Sequence, residues 1–199
     1  FSQNMAPELF SLEFFKEFRR IIKDNGIIAT YTSSAPVRAA FIEAGFYIGL
    51  GPIFGRKQGG TLASPNPEML DYSLPKNDEI RIALSDVGIP FRDPGLNNSS
   101  DFILDNRATE RQDARHNTKI SSAVKTPIFL GDAMEDDEKL KRRVERNLAK
   151  MNISSTTSKE AFYIIECENE YSENQDSKNN STTRILDMKK RLKKVKDGN

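Results

Sequence analysis

The sequence contains no tryptophan, one cysteine and one histidine among its 199 residues. A single cysteine, Cys167, excludes an internal disulfide and favours a reducing compartment, so we expect the protein in the cytoplasm. The one histidine, His116, stands in a polar stretch without a cysteine nearby, so we expect no metal site. Apolar runs are also short, and none approaches the ~18 residues that cross a bilayer, so we expect no membrane partner.

The balance of apolar and charged residues is unusual for a fully packed chain. Apolar residues make up 37% and charged residues 30%, and the mean hydropathy is -0.61. A net charge of +1 argues against a protein that binds polyanions through its bulk field. Apolar residues are dense before Ser64 and sparse after it, which predicts a folded first third and a largely disordered polar tail. We therefore divide the chain into residues 1–64, an extended linker with a short helix at 65–132, and a charged low-complexity tail with short helices at 133–199.

The first 64 residues alternate between helical and strand patterns, which predicts an α/β fold. Phe10, Phe14, Phe18 and Ile21 recur at helical spacing, with Phe15 and Ile22 widening the stripe. An apolar, β-branched strand is predicted over residues 26–32. A short helix follows, and two further strands around a Gly-rich loop are expected to pair antiparallel. Three strands and two helices leave one sheet edge and one helix face uncovered, so we expect more of the fold to precede Phe1. The second helix is predicted to face inward with Val37, Ala40, Phe41 and Ala44.

The sequence after Ser64 gives weaker signals. Residues 65–76 suggest a linker, and residues 78–84 a weak strand or helix. Ser99 would cap a polar helix anchored by Phe102 and Ile103. The remaining predictions are a charged helix at 135–151, a strand-like burst at 161–167, disorder at 170–183, and a basic helix or solvated tail at 184–196 that could add affinity for RNA.

Six short stretches between Phe1 and Ser64 follow one another in the order seen in a known family. They are a Phe-Ser pair, a Pro-Glu-Leu-Phe helix start, a strand ending in Ala-Thr-Tyr-Thr-Ser, a Val-Arg pair, an Ala-Gly-Phe helix end and a Gly-Arg-Lys loop. Their positions are Phe1–Ser2, Pro7–Phe10, Ala29–Ser33, Val37–Arg38, Ala44–Phe46 and Gly55–Lys57. Together they resemble the C-terminal half of the MnmC-type methyltransferases, which methylate the modified wobble uridine of certain tRNAs.

The resemblance implies a fold, a cofactor and a substrate. Residues 1–64 would be the C-terminal half of a Rossmann-like methyltransferase sheet, with S-adenosyl-L-methionine as cofactor and tRNA as partner. The reaction would methylate the aminomethyl group of a wobble uridine, giving 5-methylaminomethyl on a 2-thiouridine or related base. In the family the catalytic acid and the Gly-rich cofactor loop precede the Phe-Ser pair, so no catalytic residue is assigned and we expect this chain alone to be an inactive fragment. Some members carry a fused flavin domain that prepares the amine; none occurs here, so we expect a separate flavin enzyme.

The resemblance also implies site residues, each with a plainer alternative. Phe1 and Ser2 would follow a strand at the edge where open α/β sheets bind ligands, and would contact the cofactor; packing of a loop aromatic is the alternative. Arg56 and Lys57 would contact tRNA phosphates from a Gly-rich loop, unless that loop is a solvated hairpin. Arg38 would extend this basic patch, unless it is an ordinary surface cation.

Three departures from the family pattern lie near the start of the chain. Gln3 stands where proline is usual, Ala6 where asparagine is usual, and Phe10 where tryptophan is usual. The alternative function is therefore a non-catalytic RNA-binding or assembly protein that retains part of the fold.

Overall fold

The computed structural model describes residues 2–53, 59–117, 119, 138–165 and 180–198. Short 3₁₀ turns at Pro7–Phe10, Pro67–Met69 and Asp86–Gly88 connect longer elements. Those elements are α1 (Leu12–Ile21), β1 (Ile28–Thr30), α2 (Ala35–Glu43), β2 (Tyr47–Leu50), β3 (Thr61–Ser64), α3 (Lys76–Leu84), α4 (Ser100–Asn117), α5 (Glu138–Ala149), α6 (Lys159–Ile165) and α7 (Ser181–Asp197).

The three strands form one small sheet in the order β1, β3, β2. The central strand β3 is antiparallel to both neighbours, and Ala63 lies opposite Ile28 on one side and Ile48 on the other. Strands β1 and β2 therefore point in the same direction. The predicted antiparallel pairing of the last two strands is confirmed.

Aromatic rings join α1 to α2 beside this sheet. The ring of Phe15 stacks on Phe41 with 3.9 Å between centroids, and Phe41 meets the edge of Phe46 at 5.6 Å. The inward face predicted for α2 is confirmed, because Val37, Ala40, Phe41 and Ala44 are all buried. The packing of α2 therefore follows the sequence pattern closely.

The stripe predicted for α1 is partly wrong. Ile21, at the end of the helix, is 65% exposed, whereas Leu12 and Phe15 are buried. The side chains of Phe10, Phe14 and Phe18 are half-buried and pack against the core. Phe15, which widens the predicted stripe, is thus its fully buried member, and it faces α2 through its stack on Phe41.

The prediction of a largely disordered tail is wrong for the described residues after Ser64, because they form the helices α3 to α7. Segment 78–84 is helical within α3, and Ser99 caps α4 as predicted, accepting from the amide of Phe102 at 3.3 Å. The hydrophobic core continues into these helices through side chains that are fully buried: Ile82, Leu84, Ile103, Leu148 and Ile185.

Other details after Ser64 also differ from the predictions. Residues 161–165 of the predicted strand at 161–167 lie in helix α6 instead, and residues 166 and 167 lie outside the described residues. Ala161 and Ile164 are buried three residues apart while Phe162 between them is 50% exposed, which is a helical pattern. Phe102 is not an anchor of α4, since it too is 50% exposed. The predicted linker at 65–76 buries leucine side chains at its positions 70 and 74. Of the stretch 170–183 predicted as disordered, residues 170–179 lie outside the described residues.

Helix α7 is docked rather than solvated. It begins with a capping box in which Asn180 and Thr183 exchange hydrogen bonds. In its first turn, Ser181 Oγ accepts from the amide of Leu74 at 2.7 Å, and Thr182 Oγ1 accepts from the amide of Ile48 at 2.9 Å. On the outer edge of β2, the amide of Ile48 is thus satisfied by the Thr182 hydroxyl, and the amide of Leu50 donates to the carbonyl of Tyr72 at 2.9 Å.

A buried ion pair fixes α7 against α3. The guanidinium of Arg184 binds the carboxylate of Glu79 through two nitrogens, at 2.9 and 2.6 Å. Both side chains are almost completely buried.

No helix among the described ranges is long and apolar enough to cross a membrane. The division of the chain at residues 64 and 132 stays a prediction.

Candidate functional site

A cavity of about 370 Å³ lies where β1 ends and α2 begins. Hydroxyl groups turn the chain between the two elements: Thr30 Oγ1 accepts from the amide of Thr32 at 3.3 Å, and Thr32 Oγ1 accepts from the amide of Ser34 at 3.2 Å. Pro36 in the first turn then directs α2 away from the sheet. The remaining walls come from α3, α4 and the N-terminal segment. The lining residues are Gln3, Ser33, Ser34, Ala35, Pro36, Arg38, Asp78, Arg81, Ile82, Val87, Arg107 and Arg111.

Arg38 forms the inner wall of the cavity, and the alternative of a surface cation is wrong. Its guanidinium is buried and donates to Thr61 Oγ1 at 2.8 Å, to Asp78 at 2.7 Å and to the carbonyl of Gly60 at 3.3 Å. Burial lowers the pKa of Arg38, while the hydrogen bond to Asp78 raises it. The side chain therefore ties α2 to β3 and α3 behind the cavity.

Two further arginines reach the cavity from α4. Arg107 donates to the carbonyls of Ile89 at 2.7 Å and Val87 at 3.1 Å, and its guanidinium lies 4.6 Å from the centre of the Phe91 ring. Arg111 instead binds the buried carboxylate of Asp86 at 2.9 Å. Burial lowers the pKa of Arg107 to about 10, and the neighbouring Arg111 adds to this effect.

Asp86 binds Arg111 and one further arginine of α4. Its carboxylate is fully buried and also binds Arg115 at 3.1 Å. The turn that carries Asp86 requires glycine two residues later, because a Cβ on Gly88 would lie 2.2 Å from the carbonyl of Ile82. One carboxylate thus holds two successive turns of α4 against the end of α3.

The predicted site residues are placed unevenly. Phe1, Arg56 and Lys57 lie outside the described residues. Ser2 is exposed, and its carbonyl accepts from the amides of Met5 at 2.9 Å and Ala6 at 3.0 Å. Arg38 lies in the wall of the cavity. Whether any of these residues contacts cofactor or substrate stays a prediction.

Sequence reasoning missed several residues of this cavity. Gln3 was noted only as a departure from the family pattern, yet its Oε1 accepts a hydrogen bond from the hydroxyl of Ser34 across the mouth of the cavity. The row of α4 was missed although its spacing was visible, since Arg107, Arg111 and Arg115 are each four residues apart and share one helix face.

The described residues contain only part of what a nucleotide-like cofactor needs. Such a cofactor is held by a Gly-rich loop between a strand and a helix, whereas Gly49 and Gly51 lie in and after β2, ahead of β3. The polar groups near the end of β1 can line one side of a crevice, but they do not form a complete cradle. The predicted contact of Ser2 therefore stays a prediction, and we assign no further described residue to the cofactor. The described ranges also contain no group of three His, Cys, Asp or Glu residues able to hold a metal ion.

Comparison with known proteins supplies the family context. Residues 1–66 match the family described as S-adenosyl-L-methionine-dependent methyltransferases. An uncharacterized protein of Methanocaldococcus jannaschii is 37% identical over 112 residues, which cover 56% of this chain and 32% of that protein. The tRNA 5-methylaminomethyl-2-thiouridine biosynthesis bifunctional protein MnmC of Ralstonia nicotianae is 39% identical over 64 residues, which cover 32% of this chain and 10% of that protein.

A solved structure is also similar. The crystal structure of MnmC2 from Aquifex aeolicus is 29% identical, with a TM-score of 0.49, and the match covers 54% of this chain and 34% of that one. The chain thus spans about a third or less of each of these proteins. Residues 1–66 are an MnmC-type region of the S-adenosyl-L-methionine-dependent methyltransferase family.

Proposed function

We propose that this chain is part of a methyltransferase that acts on the aminomethyl group of a modified wobble uridine in tRNA. The observation that carries the proposal is the match of residues 1–66 to the methyltransferase family, together with the identity to a relative named for tRNA 5-methylaminomethyl-2-thiouridine biosynthesis. On this proposal the three strands are the end of a larger Rossmann-like sheet. A tRNA substrate also implies a cytoplasmic location, and the amine would be prepared beforehand by a flavin enzyme.

The position of the cavity supports this proposal. Open α/β sheets bind ligands outside the carboxyl ends of their strands, and the cavity lies at that end of β1. Its mouth carries the amide of Gln3 and the hydroxyl of Ser34, which are groups able to hydrogen-bond to a nucleobase edge. The chain's own residues would therefore receive and orient the nucleoside, and positioning supplies most of the rate in such a transfer.

The chemistry requires a methyl donor and a proton acceptor. When bound, S-adenosyl-L-methionine would supply the methyl group and leave as S-adenosylhomocysteine, and the methylated amine would release one proton. Asp78 is the carboxylate among the lining residues, but its Oδ2 is held by Arg38 at 2.7 Å. We therefore assign Asp78 to fixing Arg38 and assign no general base to a described residue.

A methyl-transfer assay tests the proposal. The complete methyltransferase that contains this chain is incubated with S-adenosyl-L-methionine and tRNA carrying the aminomethyl uridine. The tRNA is then digested and analysed by mass spectrometry. We expect one added methyl group on the wobble nucleoside, and none on a matched tRNA that lacks the aminomethyl group. Tight tRNA binding without any transferred methyl would favour the alternative, a non-catalytic RNA-binding or assembly protein.

A further inference from the structure

The cavity beside β1 carries more positive than negative charge. Four arginines and one aspartate line it. Asp78 pairs with Arg38, and Asp86 just outside the lining pairs with Arg111. Within the described part of the chain, no carboxylate lies within ion-pair distance of Arg81 or Arg107. Two guanidinium groups from different helices thus face one cavity without a carboxylate in direct contact, although the charges of Asp86 and Glu110 act on Arg107 from a longer distance.

One of these guanidinium groups is held in a fixed orientation. The Nε and one Nη of Arg107 donate to the carbonyls of Ile89 and Val87, and its plane lies over the ring of Phe91. The other Nη has no hydrogen-bond partner among the residues described. A side chain that is already ordered loses little conformational entropy when it binds a ligand. Arg81 on α3 is exposed and supplies a second, adjustable fork.

The chemistry of these groups favours a phosphate. Arginine binds phosphate through two parallel hydrogen bonds, and two arginines can share the oxygens of one group. The first turn of α2 forms the opposite wall and has no side-chain cap, so the positive end of that helix adds to the same potential. A cavity of about 370 Å³ is also large enough for more than a single anion, because small-molecule pockets begin near 300 Å³.

The surroundings favour RNA over a phosphorylated protein as the source of that phosphate. The polar groups at the mouth, on Gln3, Ser33 and Ser34, can hydrogen-bond to a sugar or base. These residues also belong to the segment that matches the methyltransferase family. A phosphate held here would lie next to any nucleoside that enters at the end of β1.

We infer that Arg81 and Arg107 form a phosphate-anchoring site that binds an RNA backbone phosphate adjacent to the nucleoside to be methylated. This inference rests on the proposed function for the identity of the RNA. Arg111 and Arg38 support the site by keeping the neighbouring walls in place through Asp86 and Asp78. The anchor fixes the register of the RNA and reads no base.

The experiment measures tRNA affinity of the full chain against salt concentration for wild type, Arg81→Gln and Arg107→Lys. We expect Arg81→Gln to weaken binding about tenfold at low salt and to reduce the slope of log affinity against log salt by roughly 0.7 to 0.9, the value for one phosphate contact. Arg107→Lys keeps the positive charge but loses the paired N–H donors of the guanidinium. Binding of tRNA should therefore weaken while the salt slope changes little. The matched control is Arg20→Gln on α1, an exposed arginine paired with Glu17 outside the cavity, which should leave both quantities at wild-type values.

A second measurement follows the Nε–H signal of Arg107 by NMR during titration with uridine 5′-monophosphate and with uridine. We expect a saturable shift with the nucleotide and none with the nucleoside. Equal shifts with both ligands, an unchanged slope in Arg81→Gln, or tighter binding of a phosphoserine peptide than of tRNA would each overturn the inference. If the slope responds but no methyl is transferred, the anchor stands and the proposed activity fails. If methyl is transferred but the salt slope of Arg81→Gln is unchanged, the proposed activity stands and the phosphate anchor fails.

Discussion

Breaking the ion pair between Glu79 and Arg184 should unfasten α7 from the rest of the fold. Glu79 is 1% exposed and Arg184 is 5% exposed, so neither charge can turn to solvent when its partner is removed. Removing one member of such a pair costs about 3–5 kcal/mol, because the other is left buried and uncompensated. Domains of this size have a free energy of unfolding of about 5–15 kcal/mol, so each single variant should lose a large, measurable share of its stability.

The assay is a double-mutant cycle measured by urea unfolding. Glu79→Met and Arg184→Met should each lower the free energy of unfolding by about 3–5 kcal/mol. The double variant should lose far less than the sum, because a buried pair replaced by apolar side chains is often close to neutral. Hydrogen exchange over 181–197 reports whether α7 opens by itself or with the whole fold. Additive single effects, or single losses below about 1 kcal/mol, would refute the buried pair.

Three further perturbations test other parts of the account. Ser181→Ala leaves a buried backbone amide without an acceptor and should lower the free energy of unfolding by about 1–3 kcal/mol in thermal melts, whereas loss of the exposed hydroxyl in Thr109→Val should change it by no more than about 0.5 kcal/mol. Gly60→Ala would place a Cβ 2.2 Å from the carbonyl that ends β1 and should cost about 1–3 kcal/mol by separating β1 from β3; an unchanged melting temperature would show that this approach is not close. Replacing Arg56 and Lys57 with alanine should weaken tRNA binding equally for every tRNA and leave cofactor affinity unchanged, whereas a loss of cofactor binding measured by calorimetry would place these residues at the cofactor instead.

The part of the fold that the sequence predicts well is the part with dense apolar periodicity. The inward face of α2 and the pairing of β2 with β3 follow from short-range patterns of apolar residues, turns and glycines. The buried face of α1 is harder to predict, because its phenylalanines lie on several sides of the helix and do not mark a single face. Ile21, the last residue of α1, is left 65% exposed.

The docking of α7 could not be predicted from local patterns. Its composition is polar, and its contacts depend on partners far away in the chain, since Glu79 lies 105 residues before Arg184. Polar groups that are buried in pairs look the same in sequence as polar groups that are solvated. The same reason explains Arg38, whose partner Asp78 lies 40 residues later. The arginine row of α4, by contrast, is a four-residue repeat within the predicted polar helix, but arginines at this spacing are equally typical of a solvated helix face.

The most direct test of the account is to find where the wobble nucleotide lies on the protein. A tRNA carrying 4-thiouridine at the wobble position is cross-linked to the full chain by light, and the attached peptides are identified by mass spectrometry. The account predicts cross-links to the mouth of the cavity, at Gln3, Ser33 or Ser34, and their loss in Arg81→Gln at moderate salt. Cross-links confined to the basic helix α7 would contradict it, because they would place the RNA away from the end of β1.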